Sequence, residues 1–232
     1  MKTSNIILFT VMSSFSIIII AGALELRIFG KLNDGISGSP NQVTVVDAHL
    51  EPFQFLVINE SINVTIEKGD SLSFKVYRNQ DDNAPLVKFH QSGDTLFIDQ
   101  VAFGKDGSSL SAVIKLNDAK TLKFIHAINS TISMEDLDGN SLGLNLKSSR
   151  LYLTSNQKQL ETLNVAAIDS YVSYDGGITG KMEANLDHSE VSIQGIVSEF
   201  SGTVKNESDL LLYNVNQITF KKDSTSAIRI MN

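Results

Sequence analysis

At 232 residues and 42% hydrophobic content, the chain is long enough for one domain with a sizeable core and too apolar for general disorder. Its formal net charge of −7, with no Lys/Arg cluster anywhere, excludes the basic footprint of a nucleic-acid binder. Cysteine is absent, which removes disulfides, thiolate metal sites, cysteine nucleophiles and a lipidated N-terminal cysteine together.

Residues 1–24 stand apart. After Lys2, the 19 residues from Ile6 to Leu24 carry no charge. At a helical rise of roughly 1.5 Å per residue that length crosses a hydrocarbon core of about 30 Å. Ala21-Gly22-Ala23 also offers the small residues that a signal peptidase reads. A signal anchor and a cleavable signal peptide both fit, and the length favours the anchor. Lys2 and the amino terminus face Arg27 and Lys31 across the run, so charge does not set the orientation. Either way the remainder is expected to be exported, to the periplasm or the cell surface.

Residues 25–52 read as a linker and a lead-in strand. Gly30, Asn33-Asp34-Gly35 and Ser37-Gly38-Ser39-Pro40 supply turns, and Val43-Thr44-Val45-Val46 supplies a β signal. The three prolines, Pro40, Pro52 and Pro85, all precede residue 90, so nothing after that point interrupts a ladder. A solenoid domain is expected over 53–232, with first strands or a cap over 53–110 and regular coils over 111–232. In the first part, Ile62, Val64 and Ile66 alternate, as do Leu72, Phe74 and Val76 after Lys68-Gly69-Asp70. Leu86-Val87-Lys88-Phe89 and Leu96-Phe97-Ile98 flank Ser92-Gly93-Asp94. Both pairs predict antiparallel hairpins.

Beyond Leu122 the chain repeats itself. Ser130, Ser149, Ser170, Ser189, Ser208 and Ser226 each open a five-residue phrase, at steps of 19, 21, 19, 19 and 18 residues. A second alternating run precedes the serine, as in Leu142-x-Leu144-x-Leu146 and Met182-x-Ala184-x-Leu186. It falls three residues before the serine except at Phe200-x-Gly202-x-Val204, where it falls four before. A third apolar mark recurs at Leu137, Leu160, Ile178, Ile196 and Ile218. An apolar spacing of two and a period near 19 predict an all-β parallel β-helix whose coils stack at ~4.8 Å. The serine shares parity with the aliphatic residues two and four positions later. It is expected to point inward at a corner and to satisfy a buried backbone group, not to act as a nucleophile.

Val57-Ile-Asn-Glu-Ser-Ile-Asn-Val-Thr-Ile-Glu-Lys-Gly-Asp70, Gly93-Asp-Thr-Leu-Phe-Ile98 and the serine-centred coils resemble the bacterial family named putative auto-transporter adhesin, head GIN domain. The resemblance covers roughly residues 50–232. It implies a right-handed β-helix exported to the envelope and supplies no binding residues. That family carries Gly-Ser-Gly at its corners. Here the corners read Asn129-Ser-Thr, Ser148-Ser-Arg, Asp169-Ser-Tyr, His188-Ser-Glu and Glu207-Ser-Asp, the pattern of a divergent member.

No P-loop, HExxH, GxSxG or GxGxxG motif is present, and the four histidines share no ligand spacing. No catalytic, cofactor-binding or metal-binding residue is therefore assigned, and no cofactor is expected. Stacking does predict two outward columns: Asp169, His188 and Glu207 before the serine, and Arg150, Tyr171, Glu190 and Asp209 after it. A solvated acidic face is the simplest reading. Paired-carboxylate chemistry or a loosely held divalent cation is the sharper one. His188, between two carboxylates, is expected to titrate above about 6.5.

Three functional classes follow. The leading one is a non-catalytic, adhesin-like envelope module that binds protein or glycan. A structural periplasmic scaffold is the second and a polysaccharide-acting enzyme the third. Membrane contact is expected through residues 6–24, and the last strand, Ile228-Arg-Ile-Met-Asn232, leaves an edge open to end-to-end self-association.

Overall fold

The structure is a computed structural model that describes residues 46–48, 50–59, 61–77, 87–100, 110–135, 139–155 and 159–231. The expected anchor or signal and nearly all of the linker lie outside them, as does Leu137. Among the described residues no helix is long and apolar enough to cross a membrane.

The regular part is a β-solenoid built from β10 (Gly139–Lys147), β11 (Arg150–Thr154), β12 (Gln159–Ile168), β13 (Tyr171–Asp187), β14 (Glu190–Lys205), β15 (Asp209–Tyr213), β16 (Val215–Lys222) and β17 (Ala227–Met231). Every pairing among these strands is parallel and joins one coil to the next. The period of two therefore becomes columns of like residues. Leu144 stacks on Val165, Ala184 and Gly202, and Leu151 stacks on Val172, Val191, Leu210 and Ile228. These columns are the core: Leu146, Leu151, Leu163, Val172, Leu186 and Val191 are fully buried.

The third apolar column differs from expectation. Leu160 stacks on Thr179, Val197 and Val215, whereas Ile178 and Ile196 face outward at 39% and 44% exposure. Gly176 and Gly177, both at positive φ, absorb an extra residue where the ladder slips between Asp175 and Ile178, and this reverses the parity after Tyr174. Ile196 lies an odd number of residues after the inward Ile193, so alternation alone puts it outside.

At the other end the chain does not stack in sequence order. β2 (Phe55–Asn59) and β3 (Ile62–Lys68) form a coil that pairs in parallel with β8 (Phe124–Ile128) and β9 (Thr131–Glu135) on one side. On its other side lie β6 (Thr95–Gln100) and β7 (Leu110–Leu116), also parallel. β5 (Val87–Ser92) then pairs antiparallel with β6, as the Gly93 turn predicted. The other expected hairpin does not form. β4 (Ser73–Tyr77) runs antiparallel to β7 and β1 (Val46–Ala48), and β3 instead takes parallel partners on both edges. β4 and β5 close this end of the core, with the Phe74 and Phe89 rings 4.7 Å apart. Among the described residues β2, β3, β6 and β7 thus stack as coils, and β4 and β5 run antiparallel beside them.

Candidate functional site

The corner serines build the floor of the site. Ser130, Ser149, Ser170, Ser189, Ser208 and Ser226 are all buried. From Ser149 to Ser208, each Oγ accepts a hydrogen bond from the backbone N–H of the serine one coil earlier, at 3.2, 3.1, 3.1 and 3.0 Å. The Oγ of Ser130, Ser149, Ser170 and Ser189 donates to the carbonyl two residues back in its own chain, at 2.7–2.8 Å. Ser208 donates to the Lys205 carbonyl three residues back, because Asn206 and Glu207 both adopt positive φ and add a residue to that turn. This is the register change read in the sequence. With both the proton and an oxygen lone pair committed from Ser149 to Ser208, these serines form a structural ladder, while Ser226 in the last coil keeps a buried Oγ without a partner.

Five of the six turns place the residue before the serine at positive φ: Asn129 at 51°, Ser148 at 50°, Asp169 at 50°, His188 at 49° and Glu207 at 61°. Glycine meets this conformation without strain; these side chains hold it at a cost and project outward as a column. The residue after the serine heads the next strand, so Thr131, Arg150, Tyr171, Glu190 and Asp209 form a parallel column by register. The inward serines leave a groove of about 670 Å³ between the two columns. All seven residues singled out in the sequence line it: Arg150, Asp169, Tyr171, His188, Glu190, Glu207 and Asp209.

Their interactions are unequal. His188 Nδ1 lies 2.7 Å from Asp169 Oδ1, and this bond, with the Asp169 charge, holds the imidazole above its ordinary pKa. Glu207 and Asp187 add to the rise through charge alone. Asp187 is itself held low by the Asn206 amide and the Lys205 ammonium. Asp209 pairs with Arg229, two positions past its own column on the last strand. Tyr171 packs against Tyr152 with the two rings tilted, their centroids 5.7 Å apart and their planes at 49°. Tyr152, 41% exposed, extends the rim; sequence reading missed it because it belongs to the next outward position of the phrase. Among the described residues no set of three or more His, Asp or Glu groups is placed to hold a metal ion. The groove can therefore offer hydrogen bonds, one guanidinium, two aromatic rings and an acidic field.

The fold and groove define the class: a parallel β-solenoid with a polar corner groove. Three solved structures share that fold. A putative adhesin from Bacteroides fragilis is similar at TM-score 0.59 and 14% identity, covering 82% of this chain and 97% of its own. Putative adhesins from Parabacteroides merdae and Parabacteroides distasonis match at TM-scores 0.52 and 0.51, with 9% and 11% identity. Each covers 82% of this chain, and the match spans 96% and 94% of the respective structures. No protein-family model matches the chain, and no curated protein sequence matches it.

Proposed function

We propose that the chain is an exported, adhesin-like binding module of the bacterial envelope that contacts protein or glycan without catalysis, and a divergent relative of the head GIN domain family. The corner groove carries this reading. Five coils in succession hold a side chain where glycine would be unstrained, and those side chains line a single concavity. The shared fold of the Bacteroides and Parabacteroides proteins described as putative adhesins supports the same reading. Residues 6–24 would tether the solenoid to a membrane.

Protease digestion of the solenoid on intact cells and on spheroplasts, paired with an attachment assay, tests this. Surface digestion together with loss of attachment on deletion of the chain is the expected result. Protection until the outer membrane is opened would exclude adhesion and leave the periplasmic scaffold. Glycan turnover that alanine at Asp169 or Glu207 abolishes would replace both with an enzyme.

A further inference from the structure

A second concavity, of about 440 Å³, lies on a different face, where β8, β10, β12 and β13 run side by side. By register one outward column reads Phe55, Phe124, Gly143, Asn164, Glu183, and the next carries His126, Asn145, Ala166, Asn185. Gly143 and Ala166 are the small residues that open it. Phe55 and Phe124 wall one end, the exposed Asn145 and Asn164 stand on the two coils beyond them, and Glu183 closes the other end.

We propose that this depression binds a short stretch of neutral glycan, one pyranose ring stacking on the phenylalanine end while its hydroxyls bond the asparagine amides. The inference rests on reading the solenoid as a binding module, and it names a site separate from the corner groove. An aromatic face beside polar groups of fixed direction suits a sugar ring, which is apolar on its C–H face and polar at its edge. Asparagine offers a donor and an acceptor from one group, the pairing a hydroxyl needs. Asn185 is fixed from both sides: Thr203 Oγ1 donates to its Oδ1 at 2.8 Å, and its Nδ2 donates to Glu183 Oε1 at 3.3 Å. It thereby orients the carboxylate at the end of the depression. The lining charges, Lys123 and Glu183, are opposite, so no net field favours an ionic polymer. A peptide strand has no foothold here, because these strands are paired on both edges and expose no unpaired backbone edge.

Gly143 makes the site testable without deleting it. A Cβ there would come within 2.7 Å of Phe124 Cδ2 and 3.3 Å of its Cε2, along one edge of the ring. Gly143→Val should thus swing the ring away while keeping the strand. The full chain in mild detergent would be titrated calorimetrically with maltohexaose, cellohexaose and N-acetylchitohexaose, with hexagalacturonate as the acidic control. The expected result is binding of at least one neutral oligosaccharide and not of hexagalacturonate. Phe124→Ala and Gly143→Val should each weaken it about tenfold or more, and Lys221→Ala, exposed on β16 outside both concavities, should leave it unchanged. Binding of no neutral probe, or wild-type affinity in both Phe124→Ala and Gly143→Val, would overturn the site. Attachment that persists without any neutral-sugar binding would remove this site and keep the adhesin reading; absence of attachment would remove that reading itself.

Discussion

His188 and Ser170 occupy neighbouring coils of the same corner and answer to different physics. The imidazole is exposed, so its bond to Asp169 shows best in titration. Its folded pKa is raised, so the bond stabilises the fold fully below about pH 6.5, the ordinary histidine value, and the contribution fades as pH rises through the folded pKa. Following His188 by NMR across pH should place its midpoint above 6.5, and Asp169→Asn should bring it back towards that value. A wild-type midpoint at or below 6.5 would mean the column is not formed in solution. Ser170 is buried and its hydroxyl receives the Ser149 N–H. Ser170→Ala removes that acceptor from a buried donor and should cost ~1–3 kcal/mol in urea unfolding. An unchanged midpoint would show that water replaces the hydroxyl and that the ladder is dispensable. The two columns were legible in the sequence because serine marks the corner so regularly. The αL geometry was not, since Asn, Ser, Asp, His and Glu share no common signal for it.

The strands show where sequence patterning suffices and where it fails. β10 to β14 announce themselves because every second residue must be apolar to build a column. The antiparallel partner of β4 was out of reach, because Lys68-Gly69-Asp70 has the chemistry of a turn and says nothing about which strand lies beyond it. Gly69 in fact sits against the Lys115 side chain, where a Cβ would come within 2.9 Å, as close packing against β7 requires. Ile196 was misplaced because residue type was weighed above parity, and Ile178 because the extra residue at Gly176 and Gly177 reverses the parity that would have turned it inward. Gly202 shows what a glycine can mean inside a strand. Its φ is 151°, and a Cβ would fall 1.9 Å from the Ala184 carbonyl oxygen one coil earlier. Gly202→Ala should therefore destabilise by about 3 kcal/mol through backbone strain and displaced coil stacking. Calorimetric melting of this variant checks it, and a melting temperature equal to wild type would show that the coils separate there at no cost.

Stability in a solenoid is close to a sum over neighbouring coils, so position along the stack should matter as much as chemistry. The two ends differ. β4 and β5 cover the first coils with Phe74 and Phe89, whereas among the described residues nothing covers the outer edge of β16 and β17. Ile228 and Ile230 continue inward columns, yet Ile230 is 45% exposed because no further coil among the described residues overlies it. Charges and turn bonds hold this end instead. Asp223 accepts from the Asn206 backbone N–H on one oxygen and from the Thr225 and Ser226 N–H groups on the other. The Asn206 bond first, then those from Ser226 and Thr225, hold its pKa far below the carboxylate range. A depressed carboxylate stabilises above its unfolded pKa of about 3.9 and loses that contribution as pH falls through its folded value, so acid should loosen this end. Fraying should therefore begin at β17 and leave β12–β13 until last. Leu186→Ala, in the fully buried centre of the stack, should cost about 3 kcal/mol, whereas Ile230→Ala should cost about 1 kcal/mol or less. Hydrogen exchange adds the kinetic counterpart, with the amides of 227–231 exchanging well before those of 163–167. Equal costs for the two alanines, with uniform protection along the chain, would mean that the solenoid unfolds as one cooperative block or that another surface covers its open end.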